Sequence, residues 1–136
     1  MERTIVRSRI LLSRPSEPAT PEDAAVGQDL LDTLEANKAR CVGLAANMIG
    51  VRKCIVAVSD NGTPLLMYNP RILDKSGPFD TEEGCLSLDG VRPTTRYRKI
   101  RVRYFDEGFI ERTRQFTGWT AQIIQHEVDH CNGIII

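Results

Sequence analysis

Gln125-His126-Glu127-Val128-Asp129-His130 holds the only two histidines of the chain. On a helix, residues four apart share a face, so His126 and His130 can bring two imidazoles to one ion. Glu127 can reach toward a water held on that ion. A single turn therefore offers two ligands and a base for metal-assisted hydrolysis. The same letters on an ordinary amphipathic helix would do no chemistry, and an ion closed by four protein ligands would be structural. A catalytic ion of this kind takes a third protein ligand and keeps one position open.

With no further histidine, that third ligand must be a carboxylate or a thiolate. Glu82-Glu83-Gly84-Cys85-Leu86-Ser87 is the strongest place for it. Gly84 lets the backbone come close to a neighbour, and coordination would deprotonate the adjacent Cys85 thiol. Cys85 reads equally well as a buried strand residue, as free cysteines often are. A second unusual stretch is Cys41-Val42-Gly43-Leu44-Ala45-Ala46-Asn47-Met48-Ile49-Gly50. Its small residues read first as a tight turn and a closely packed strand. They would also admit the backbone of a peptide substrate.

The elements that must position these residues follow from pattern. Thr20 as N-cap, Pro21 in the first helical position and Glu22 and Asp23 near the positive end of the dipole predict a helix running to Asn37. Val26, Leu30, Leu31 and Leu34 form its buried stripe. Residues 55–58 and 65–68 read as strands, separated by the turn Asp60-Asn61-Gly62, the second stopped by Asn69-Pro70. Residues 100–104 alternate with period two, and Asp106-Glu107-Gly108 turns them into a strand over 109–112. The last helix starts near Thr117-Gly118, carries Trp119, Ile123 and Val128 toward the core, and ends at Asn132-Gly133. Residues 134–136 would form a strand or a buried tail. The sum is an α+β fold, mostly antiparallel sheets around a central C-terminal helix.

A chain of 136 residues is the size of one domain, here residues 1–136. Eighteen basic residues balance eighteen acidic ones, which argues against an electrostatic nucleic-acid binder or an anionic membrane surface. Arg92, Arg96, Arg98, Lys99, Arg101 and Arg103 read as the solvated face of a strand. Residues 1–7 contain no apolar core of a leader and no apolar run approaches a membrane span, so the expected location is cytoplasmic. Cys41, Cys54, Cys85 and Cys131 are accordingly expected as reduced thiols, with Cys54 and Cys131 packed as small residues.

Taken together, the three segments resemble the peptide deformylase family. Its motifs run, in this order, Gly-x-Gly-x-Ala-Ala-x-Gln, Glu-Gly-Cys-Leu-Ser and Gln-His-Glu-x-x-His. Glu83-Gly84-Cys85-Leu86-Ser87 matches the second and residues 125–130 match the third. The resemblance spans the chain from the first helix to Gly133. It implies that Cys85, His126 and His130 hold a divalent metal, most commonly Fe2+, with Zn2+ or Ni2+ also able to occupy the site. Glu127 is then general base and acid in hydrolysis of the N-formyl group from the formyl-methionine of nascent chains, releasing formate. The implied donors to the oxyanion are the metal, the backbone N–H of Leu86 and the amide of the first motif's glutamine. Val42 and Gly43 would align the formyl-methionyl peptide as an added strand, with Gly84 and Arg92 also in the substrate set. Glu83 would pair with Arg96 behind the metal loop.

This chain departs from the pattern at two motif positions. Met48 stands at the catalytic position of the glutamine, and Cys41 replaces the first glycine. A thioether donates no hydrogen bond, and losing one oxyanion donor typically costs about a hundredfold to a thousandfold in rate. Asn47, on the opposite face of a strand, would not substitute. The chain also stops at Ile136, as a short branch of the family does. Three readings remain: a short deformylase working without that donor, a metal-binding relative that binds peptides with little catalysis, and a zinc metalloprotease of the wider His-Glu-x-x-His type, against which Cys85 argues.

Overall fold

Asn61 and Gly62 both take positive φ, 52° and 90°, the mirror-image conformation that lets a two-residue turn match the twist of its strands. In the computed structural model, which describes residues 1–134, this turn folds β2 (Ile55–Asp60) directly onto β3 (Thr63–Cys85). With β1 (Gly43–Ala45), β4 (Leu88–Phe105) and β5 (Glu111–Thr117) they form one five-stranded antiparallel sheet in the order β1-β2-β3-β4-β5. Among the described residues there are three α-helices: α1 (Arg9–Leu12), α2 (Ala24–Ala36) and α3 (Gly118–Cys131). The architecture is the expected α+β one, with antiparallel strands and a C-terminal helix packed against β1, β2 and β4.

β3 is far longer than the sequence suggests, because Asn69-Pro70 does not stop it. Asn69 takes φ 52°, and the pairing with β4 jumps from Tyr68↔Phe105 to Arg71↔Arg103. The two residues form a bulge, so proline's missing N–H falls where the ladder asks for none. Asn69 is held there by its side chain, whose Oδ1 accepts from Ala19 N–H at 2.8 Å and whose Nδ2 donates to Ala19 O at 3.0 Å.

Other boundaries shift in smaller ways. The first long helix opens with a 3-10 turn, Pro21–Asp23, in which Asp23 Oδ2 accepts from Thr20 N–H at 2.8 Å. Its Leu30 and Leu34 are buried, while Val26 and Leu31 are half-buried. Gly27 on the same face touches Tyr68 so closely that a Cβ there would lie 2.3 Å from the phenol oxygen. The four-residue α1 has no counterpart in the sequence reading. The hairpin loop after β4 runs to Ile110, so β5 begins at Glu111 rather than 109. Ile134 is exposed, and residues 135–136 of the expected tail lie outside the described residues.

α3 is fixed by both polar and apolar contacts. Ile124, one of its own residues, is fully buried. Gln125 pairs both ends of its amide with the backbone of Tyr97 on β4, donating to the carbonyl and accepting from the N–H, each at 2.8 Å. Gly133 then ends the helix with φ 74°, the left-handed conformation glycine favours. Trp119 departs from expectation and is 60% exposed. The stripe of Trp119, Ile123 and His126 runs off the core and onto a cavity, so its first member stands at the opening rather than in the interior.

The bulge offers a test of this reading. Asn69→Ala removes both side-chain hydrogen bonds and places a Cβ residue without a local polar group in the left-handed region, and is expected to lower the unfolding free energy by about 2–3 kcal/mol. Asn69→Gly loses the bonds but not the conformation and is expected to cost less in the same denaturant titration.

Candidate active site

The far end of β3 and the middle of α3 meet at one point. Cys85 closes β3, and its Sγ lies 3.4 Å from His130 Nε2 and accepts from the Ser87 N–H at 3.4 Å. Two residues earlier, Glu83 Oε1 accepts from His126 Nδ1 at 2.8 Å. A carboxylate only accepts, so Nδ1 carries the proton and Nε2 of His126 is the nitrogen left for a ligand. Among the described residues, Cys85, His126 and His130 bring their donor atoms within 4.8 Å of one another. One thiolate and two imidazoles suit a borderline divalent ion and leave a coordination place over. The oriented Nδ1–H of His126 fits the same purpose, since a carboxylate behind the ring fixes a metal-binding tautomer. The residues present therefore fit a catalytic divalent metal.

The charges around this point are arranged in depth. Burial works against ionising Glu83, but hydrogen bonds from His126, Arg96 and Gln122 outweigh it and hold the carboxyl down at about 2. Arg96 reaches Glu83 Oε1 through Nη2 at 2.8 Å and Asp129 through Nη1 at 2.6 Å. Burial opposes charge on His126 too, yet the neighbouring Cys85 thiol and the hydrogen-bonded Glu83 carboxylate push it up to about 10. Burial, together with cationic His126 and Arg96, pushes His130 down to about 3. The two rings, 5.1 Å apart, are thus driven in opposite directions. Glu127 is buried beside them and raised to about 7, chiefly by loss of water. Its Oε1 has no hydrogen-bond partner among the described residues.

A cavity of about 370 Å³ opens over this cluster. Gly43 forms one wall at contact distance, since a Cβ there would lie 2.8 Å from Glu127 Oε2 and 2.7 Å from Ile123. The family model described as polypeptide deformylase matches residues 5–136. The chain belongs to that family. It is similar to a peptide deformylase of Clostridium beijerinckii, with 52% identity over 136 residues and 100% of both chains covered. A peptide deformylase of Pelodictyon phaeoclathratiforme is 36% identical, with 92% of this chain and 71% of that one covered. Among solved structures, the peptide deformylase from Legionella pneumophila superposes with a TM-score of 0.88 at 30% identity, covering 99% of this chain and 83% of that one. The peptide deformylase from Thermus thermophilus gives 0.86 at 30%, with the same coverage.

Within this deformylase fold, most residues singled out in the sequence converge on the cavity. Cys41, Val42, Gly43, Met48, Gly84 and Leu86 line it with Cys85, His126 and Glu127. β1 is an edge strand, and Val42 just before it is partly exposed while its carbonyl accepts from Ser59 N–H at 2.8 Å. Gly84 is not crowded, its nearest foreign atom lying 3.4 Å from a built Cβ. Met48 is 1% exposed and its sulfur accepts from Ala45 N–H at 3.4 Å. Asn47 is turned away, donating to His130 O at 2.9 Å, from a 3-10 turn (Ala46–Ile49) rather than the strand that sequence suggests. The Cys41 thiol donates to Gly43 O at 3.0 Å, and burial and nearby Glu127 push it up to about 12. Arg92 is not among the cavity residues and donates instead to Asp89 O at 3.0 Å.

Two contributors escaped the sequence reading. Asp129, inside the His-Glu-x-x-His motif, anchors Arg96. Gln122 donates to Glu83 Oε2 at 2.8 Å, and only its position one turn before His126 hinted at this. The carboxylate at Glu83 is the element to challenge. Glu83→Gln keeps the shape but removes the charge that faces Arg96 and the His126 ring. Divalent-metal affinity, measured by chelator competition, is expected to fall by about 10–100-fold.

Proposed function

We propose that this chain hydrolyses the N-formyl group of formyl-methionyl peptides, releasing formate and a free amine. The observation that carries this reading is the buried Glu127, with an unpartnered oxygen, set beside a Cys85, His126, His130 donor cluster in a chain of the deformylase family. A divalent cation held by those three residues would supply Lewis-acid activation of the attacking water and of the formyl oxygen. Glu127 takes one proton from the water as its oxygen bonds to the formyl carbon. The carbon–nitrogen bond then breaks, and Glu127 returns that proton to the departing amine nitrogen, so the base of the first step is the acid of the second.

Orientation comes from the chain itself. The free edge of β1 at Val42 and Gly43 aligns the peptide backbone as an added strand. Leu86 supplies a backbone N–H to the developing oxyanion, and Gly84 keeps the facing wall open. Arg92, outside the cavity, would meet only a peptide extending past it. Fe2+ is the ion we assign to this donor set, with Zn2+ and Ni2+ as workable substitutes. The substrate in the cell is the nascent polypeptide, and the enzyme works in the cytoplasm. No helix of the described residues is long and apolar enough to cross a membrane.

Met48 sets the rate in this reading. Its sulfur takes a hydrogen bond and gives none. A glutamine there could keep the Ala45 N–H on its carbonyl and turn its N–H2 toward the cavity. Met48→Gln is expected to raise kcat, by up to about a hundredfold if the new donor reaches the oxyanion.

The primary experiment measures formate release from a formyl-methionyl tripeptide by anaerobically prepared, iron-loaded protein, with metal occupancy determined on the same sample. Release is expected, and Glu127→Ala is expected to abolish it while keeping the metal. Full occupancy without formate would overturn the assignment. Binding without turnover would mean that the cavity serves peptide recognition instead.

A further inference from the structure

Glu83 accepts one hydrogen bond that the pairing with Arg96 and His126 does not require. Its Oε1 takes His126 Nδ1 and Arg96 Nη2, both at 2.8 Å. Arg96 Nε lies 3.1 Å from both oxygens. Oε2 has one further partner, Gln122 Nε2, at 2.8 Å. Without it, Oε2 keeps only the shared Nε contact. The carboxylate could then rotate about its terminal carbon–carbon bond and carry Oε1 out of line with the imidazole.

The orientation of the amide is settled by chemistry. A carboxylate cannot donate, so the N–H2 end of Gln122 must face Glu83 and the carbonyl end is directed elsewhere. Gln122 is half-buried and lines the cavity, one helical turn before His126 on the same face of α3. One side chain is therefore both a wall of the cavity and a clamp on the group that orients a metal ligand.

We propose that Gln122 is a positioning residue, holding Glu83, and through it the ring of His126, from within the wall of the substrate cavity. The proposal rests on the deformylase reading for its catalytic consequence and on geometry alone for its metal-binding one. The two roles of Gln122 pull apart on substitution. Gln122→Leu gives a more apolar wall for a methionine side chain but frees Glu83. The expected outcome is a lower kcat with KM for the formyl-methionyl tripeptide unchanged or reduced. Direct carboxylate partners of metal ligands are worth about 10–100-fold in affinity or activity, and Gln122 acts one bond further out, so the loss is expected to be about threefold to tenfold.

The test uses Co2+ as probe. Its rate of transfer to a chelator and its visible absorption bands are measured in the parent, Gln122→Leu and Gln122→Met. Leucine and methionine are both good helix formers, and methionine matches the unbranched length of glutamine, so a packing fault specific to leucine is separable. Faster cobalt loss in both variants, about threefold to tenfold, with displaced bands, is the expected result. Bands and transfer rates equal to the parent's, with only KM altered, would make Gln122 a wall residue and overturn the proposal. The cobalt measurements need no substrate. A parent that releases no formate would sink the deformylase assignment and leave this test intact, whereas an active parent with unmoved cobalt measurements would sink the role of Gln122 alone.

Discussion

The carboxylate of Glu83 is the point on which the site depends. It joins β3, β4 and α3 by accepting from His126, Arg96 and Gln122. Arg96 extends the link to Asp129 on the helix. Burying so many charged groups is costly unless each is paired and hydrogen-bonded. Here the guanidinium faces two carboxylates, and Glu83 also faces a ring that its hydrogen bond helps to keep protonated at Nδ1. The cluster is best understood as a device for orientation. It holds the ring of His126 in one tautomer, where a hydrophobic contact would have fixed neither the tautomer nor the ring plane.

Around that hub, satisfied and unsatisfied groups are divided by role. Gln125, though part of the same motif, saturates its amide on the Tyr97 backbone and locks α3 against β4. Asn47 Nδ2 donates to the carbonyl of His130, while its Oδ1 is buried without a partner among the described residues. Glu127 Oε1 and His130 Nδ1 are likewise buried without partners among the described residues. Leaving buried polar atoms unpaired is destabilising, and these two lie on the metal-binding turn of α3 itself. The neighbours enforce this closeness: only glycine at position 43 leaves room for the Glu127 carboxylate.

Met48 stands in the cavity wall at the glutamine position of the family motif. Its side chain is buried, fills its place in the 3-10 turn and takes the Ala45 N–H on sulfur. What changes is the polarity of one group lining the cavity, from an amide donor in the family pattern to an acceptor alone. In the proposed reaction the oxyanion would lose that donor.

The donor cluster of Cys85, His126 and His130 was legible in the sequence because helical periodicity and donor chemistry are local. Two histidines four apart fall on one face of any helix, and a thiol after glycine at a strand end is visible as letters. The antiparallel class and the β2–β3 turn were legible for the same reason, since Asn61-Gly62 dictates its own backbone. Other features were decided by the tertiary structure. Asn69-Pro70 reads locally as a stop, but the contacts of Asn69 with Ala19 absorb both residues into a bulge and let β3 run on to Cys85. Trp119 has the spacing of a core residue, yet its stripe faces a cavity that exists only once β1 and β3 are in place. Gln122 and Asp129 carry no signal of their own. They act because a strand 39 residues from Gln122 in sequence delivers Glu83 to it and β4 delivers Arg96 to Asp129. Long-range pairing of that kind depends on register and packing across the whole sheet, which no window of sequence contains.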